Sequence, residues 1–192
     1  MNSKAESFSF GDLVSFPWDY NDLDLDFKEF FKDKNGLSVI DLGCGNGSQA
    51  YNLEKMGFDV TATDITNNLW YDLSNFIIDD ALNSKLEKKY DVIIDRGLIH
   101  NLIVDKRYNN YFDMIDRISH DNTTILLKVL SPYEIRYSNF ENPYRFNEEQ
   151  LDRLYSQPKF KCLYIKDSYY YSNIEPYFRA YYCVYKKNLE NS

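Results

Sequence analysis

Four acids, Asp41, Asp64, Asp80 and Asp95, each close or follow a short apolar run, and they are the residues best placed to do chemistry. Asp41 is followed by Gly43, Gly45 and Gly47 at alternate positions, with Cys44 between the first two. Glycines at that spacing free the backbone for positive φ and let a ligand approach closely. A helix beginning there aims unpaired N–H groups at whatever lies over the turn. Asp64, at the tip of the next strand and followed by Ile65, suits a ribose, since one carboxylate can accept both hydroxyls. It could instead cap a helix over 67–73, although Thr66 is also available for that. The dinucleotide fingerprint G-x-G-x-x-G, counted from Gly43, requires glycine where Ser48 stands, so the turn is not of that kind.

The elements that must hold these acids follow from the apolar pattern. Leu37, Val39, Ile40 and Leu42 suit a strand buried on both faces. A helix is expected from Gly47 to Met56, strands over 59–63 and 75–78, and a short helix over 82–88 behind Asp79-Asp80-Ala81. The strand over 90–94 runs into Asp95-Arg96-Gly97-Leu98-Ile99-His100. Tyr108, Tyr111, Phe112, Ile115 and Ile118 share one face of a helix over 105–118. A strand over 123–130 precedes a long loop over 131–145, where Tyr133, Arg136 and Tyr144 are candidates for selecting a substrate. Asn147 to Gln150 has the form of a capping box, and strands over 161–167 and 177–186 close the chain. Alternating strands and helices imply one α/β domain over 1–192, a mainly parallel sheet with helices on both faces. Residues 1–36 supply a helix near 24–33 and, ahead of it, apolar side chains at Phe8, Phe10, Leu13, Val14, Phe16 and Trp18. These form either a lid or a hydrophobic staple on the sheet.

Two motifs carry a family resemblance. Asp41-x-Gly-x-Gly-x-Gly resembles motif I of the class I S-adenosylmethionine methyltransferases. The run Asp95-Arg96-Gly97-x-x-His100, with Pro17-Trp18-Asp19 upstream, is similar to the small-molecule members of the thiopurine and tellurite-resistance type. The resemblance implies a Rossmann-like three-layer sandwich with a seven-stranded sheet whose last strand is antiparallel. It implies S-adenosylmethionine as cofactor and S-adenosylhomocysteine as product, with a methyl moved to O, N or S of a small-molecule acceptor. By the same resemblance, Asp41, Gly43, Cys44 and Gly45 lie against the amino-acid part of the cofactor and Asp64 with Ile65 at the ribose. Asp80 and Ala81 then lie at the adenine, and Asp95, Arg96 and His100 around the reacting end, with Trp18 as lid. His100 is open to two readings, as base or contact, or as a packing and capping residue; its ordinary pKa suits either. Asn142-Pro143-Tyr144 is not the N-P-P-Y of DNA methyltransferases, because it lacks the second proline and follows the fifth strand instead of the fourth.

Composition narrows the partners. A net charge of -8 with dispersed Lys and Arg gives no basic face for a phosphate backbone. Cys44, Cys162 and Cys183 are odd in number and far apart, which indicates neither a disulfide framework nor a metal site. No apolar run is long enough for a membrane span, and the N-terminus does not resemble a signal peptide. A cytoplasmic monomer or homodimer is expected. The remaining alternatives are a nicotinamide oxidoreductase, a peptide or protein methyltransferase, and a non-catalytic S-adenosylmethionine-binding partner protein.

Overall fold

The computed structural model describes residues 18–136, 143–155 and 160–187; the expected lid residues Phe8 to Phe16 lie outside them. The sheet comprises β1 (Ser38–Leu42), β2 (Asp59–Asp64), β3 (Phe76–Ile78), β4 (Tyr90–Arg96), β5 (Ser119–Leu130), β6 (Phe160–Tyr170) and β7 (Phe178–Lys187). Their order is β3-β2-β1-β4-β5-β7-β6. β1 to β5 pair in parallel, and β7 enters antiparallel between β5 and β6.

Both faces of the central strands are buried, which is why they read as continuous apolar runs. Along β4, Val92 and Ile94 pack on one side with Phe27 and Phe31 of α1 (Leu25–Phe31) and Leu53 of α2 (Ser48–Lys55). Ile93, between them, packs on the other side with Tyr111 and Ile115 of α4 (Asn109–Arg117) and Leu151 of α5 (Glu148–Tyr155). A short α3 (Ile99–Leu102) follows β4. The capping box before α5 is reciprocal, with Gln150 N–H donating to Asn147 Oδ1 at 2.8 Å and Asn147 N–H to Gln150 Oε1 at 3.0 Å.

Two expected helices are absent, and the reason is where their backbone groups bond. Over 67–73, Trp70 N–H donates to the Asn46 carbonyl (2.9 Å), and Leu69 and Leu73 pack against Gly47. The chain there is held to the glycine turn and not to itself. Over 82–88, the carbonyls of Ser84 and Leu86 both accept from the Arg117 guanidinium at 2.8 Å, and that of Leu82 from Asn110 at 2.9 Å. Side chains of α4 thus take the acceptors a helix would use. His120, expected in a polar turn, lies in β5, where Nε2 is 3.0 Å from Asp91. The strand starts early because a register shift opposite Tyr90 and Val92, with Asn122 at φ 77°, absorbs the polar residues as a bulge.

Candidate functional site

The carboxyl ends of β1, β2, β3 and β4 lie side by side in the sheet, and each carries one of the acids identified from sequence or leads into it. Open α/β sheets bind ligands along this edge, where strand order reverses about β1 and β4. Gly43, Gly45 and Gly47 all have positive φ, at 66°, 56° and 85°. A Cβ on Gly43 would sit 3.0 Å from Leu98, and one on Gly47 would sit 2.8 Å from Leu69, so both are glycine for want of room. Gly45 differs, since nothing lies within 4 Å of a Cβ there and its outer side is open. Gly47 caps α2 without a side-chain hydrogen bond.

Asp41 is 2% exposed, and its Oδ2 has no hydrogen-bond partner among the described residues. Burial pushes its pKa up to about 7; the Arg96 guanidinium and the Ala50 N–H act against this, and the charges of Asp95 and Asp64 add to it. A buried carboxylate oxygen left without a donor is costly unless a ligand supplies one. It fits a cationic group. Asp64 caps no helix. Its Oδ2 accepts from Gly45 N–H at 3.0 Å, and its Oδ1 accepts from Thr66 N–H (3.1 Å) and Oγ1 (3.2 Å). The acid therefore fixes the glycine turn to β2 and still has lone pairs for hydroxyl donors. Asp80 accepts from Leu82 N–H at 2.9 Å, which sets the turn leading into Ala81, while Ile65 beyond Asp64 is exposed. Burial drives the Cys44 thiol pKa up, so it is no thiolate nucleophile.

Around the expected reacting end, three side chains are tied into the fold by hydrogen bonds, and for His100 this is the packing and capping arrangement of its two readings. Asp95 is fully buried and accepts from Leu98 N–H (2.7 Å), Ile99 N–H (3.1 Å) and the Tyr111 hydroxyl. It anchors α3 to β4. Burial raises its pKa to about 6 against those donors. His100 is 3% exposed, and both ring nitrogens are engaged. Nδ1 bonds the Tyr144 carbonyl, and Nε2 accepts from Leu130 N–H at 3.0 Å. That assigns the proton to Nδ1, and burial lowers the ring pKa to about 4. The imidazole holds α3, β5 and the loop before α5 together, so no nitrogen is left to act as a base in this arrangement. Arg96 donates to the carbonyls of Trp18 (2.8 Å) and Tyr171 and to Asp24 Oδ2 (3.2 Å).

Of the residues expected to meet the substrate, Trp18 and Tyr133 are exposed, at 58% and 59%. Arg136 is bound to Glu134 and to the carbonyls of Pro176 and Tyr177, and Gln150 donates to the Tyr144 hydroxyl at 2.8 Å. Sequence reading missed a buried charged cluster beneath this edge. Lys128 is fully buried on β5, with Nζ 2.9 Å from Asp24 Oδ1 and in contact with Asp26 and Ser168. A lysine inside the apolar run ILLKVL was the available signal, because lysine is almost never fully buried unless paired.

This is an open α/β sheet with a row of acids along its carboxyl edge. The chain belongs to the methyltransferase domain family, whose pattern it matches over residues 20–163. Ubiquinone biosynthesis O-methyltransferase from Rickettsia bellii is 39% identical over 85 residues, which is 39% of this chain and 35% of the relative. The chain thus spans about a third of the length of the curated relatives it matches. A SAM-dependent methyltransferase from Methanosarcina mazei superposes with a TM-score of 0.71 at 14% identity, covering 88% of this chain and all of that one. A 1,6-didemethyltoxoflavin-N1-methyltransferase from Burkholderia thailandensis, solved with its named acceptor and S-adenosylhomocysteine, gives 0.63 at 16% identity, over 86% and 76% of the two chains. Family membership and such ligand-bound neighbours support S-adenosylmethionine as the cofactor. Among the described residues no helix is long and apolar enough to cross a membrane, and no cluster of metal-ligating side chains occurs.

Proposed function

We propose that this chain transfers a methyl group from S-adenosylmethionine to O, N or S of a small-molecule acceptor. The carrying observation is the buried Oδ2 of Asp41, without a hydrogen-bond partner among the described residues, on the strand that runs into the turn where the outer side of Gly45 is open. Asp41 holds the ammonium of the cofactor, Asp64 the ribose hydroxyls, and Asp80 with Ala81 and Ile65 the adenine end. When bound, S-adenosylmethionine supplies a methyl on a sulfonium, which a lone pair of the acceptor attacks in line to leave S-adenosylhomocysteine.

This chain contributes position. Holding two reactants in attack geometry can supply up to about 7–11 kcal/mol, and the base that would add to it is not His100. Asp95 and His100 are positioning residues that fix the backbone after β4. The exposed Trp18 and Tyr133 are the side chains assigned to meet the acceptor, with Arg136 and Tyr144 shaping the loops behind. The names of the Rickettsia relative and of the Burkholderia neighbour point to small-molecule acceptors, which supports the same class here.

The test is calorimetry with S-adenosylmethionine and with NADH, followed by incubation of labelled cofactor with a metabolite extract. Binding of the first ligand alone and label on a low-mass acceptor are expected. Asp64→Ala should weaken cofactor binding by about 1.5–3 kcal/mol, the worth of hydrogen bonds to a charged group. Binding of NADH in its place would end the proposal.

A further inference from the structure

Residues 18–24 form a strap that crosses from the tip of β4 to the glycine turn. At one end the Trp18 carbonyl accepts from Arg96. In the middle Asn46, inside the glycine turn, donates to Asp19 Oδ1 at 3.2 Å, and Asn173 N–H donates to the Asp19 carbonyl at 2.8 Å. Further along, Gln49 on the first turn of α2 donates to the Asp22 carbonyl at 3.1 Å and accepts from Asp24 N–H at 2.8 Å. The strap thus touches both walls of the proposed cofactor site.

The Arg96 side chain joins several of the parts meeting there. Its guanidinium bonds the strap at Trp18, the connection between β6 and β7 at Tyr171, and the Asp24 carboxylate at the start of α1. Asp24 is itself fixed from below, because its other oxygen is 2.9 Å from Lys128 Nζ. Both Arg96 and Asp24 are nearly dry, with side chains 9% and 0% exposed. A planar fork with donors in fixed directions can bond three acceptors at once, which an ammonium on a flexible stem cannot. Arg96 stands at the tip of β4, directly after Asp95, which pairs with Leu42 next to Asp41 on β1. The same group therefore stands at the strand next to the one that carries the acid assigned to the cofactor, and holds the segment lying beside it.

We infer that Arg96 is a positioning residue that couples occupation of the Asp41 site to closure of the 18–24 strap, and is not a group that touches the transferred methyl. The inference rests on the proposed cofactor site.

The test uses the full chain and Arg96→Lys, which keeps a cation beside Asp24 but loses the fork. Chymotrypsin cleavage after Trp18 and Tyr20 is timed with and without S-adenosylhomocysteine, beside binding by calorimetry and melting temperature. In the natural chain the ligand should slow cleavage at these bonds at least tenfold. In Arg96→Lys, protection should be lost and binding should weaken by the matching factor of about ten and no more, with the ligand-free melting temperature kept, a pattern that general destabilisation does not produce. Unchanged protection in the variant overturns the inference, and so does joint loss of binding, protection and melting temperature. If the natural chain binds no S-adenosylhomocysteine, the proposed function fails instead. The strap is then judged without ligand: faster cleavage in the variant at equal melting temperature supports its fastening by Arg96, and equal cleavage removes it.

Discussion

Replacing Asp41 by asparagine keeps the shape of the side chain and removes its ionisation, so it isolates the electrostatic cost of burying this acid. In the folded chain Asp41 titrates at about 7, against an ordinary 3.8, chiefly because burial strips water from the charged form. Between those pH values the folded chain keeps a proton that the unfolded chain has released, so stability falls as pH rises, by about 1.4 kcal/mol per unit. Over a window of roughly three units the loss reaches about 4 kcal/mol, absent below about pH 4 and complete above about pH 7. Urea unfolding of both proteins at successive pH values from 4 to 8 measures this. The advantage of Asp41→Asn over the natural chain should grow by about that amount across the window and then level off. Asp95, also raised by burial, loads both proteins and largely drops out of the difference. A difference that stays flat with pH, or grows towards acid, would refute the reasoning. The same substitution should abolish cofactor binding, because an amide cannot repay the burial of an ammonium.

Lys128→Met should cost about 3–5 kcal/mol in urea unfolding, since it leaves Asp24 and Asp26 buried without their shared cation. His100→Ala should cost about 1–3 kcal/mol for each of the two backbone groups it strands, the Leu130 N–H and the Tyr144 carbonyl. In the natural chain, NMR titration should find the His100 ring neutral down to a pH of about 4. Protonation is disfavoured by folding, so His100 lowers stability as pH falls from its ordinary 6.5 through that value. A ring titrating near 6.5 would mean the site is open to water.

The order of elements and the acids at the strand tips were legible in the chain because each rests on local rules. Apolar runs bounded by glycine and acid specify buried parallel strands, and alternate glycines specify a turn against which backbone must approach closely. The Asn147 to Gln150 capping box was legible for the same reason, its partners being three residues apart. The two missing helices show where such rules stop. Their local patterns allow a helix, but Asn46 and Arg117, far away in sequence, supply the hydrogen-bond partners that decide otherwise.

The roles of Asp95, Arg96 and His100 were beyond the sequence in the same way. A motif places a histidine after a strand, but burial and two backbone partners from distant segments decide whether its nitrogens are free. What the sequence determined by itself was the sheet and the line of carboxylates along its edge. Only tertiary structure decided which of those polar groups face one another in the dry interior and which keep an unmet bond, because desolvation and partner geometry depend on residues brought together from across the whole fold.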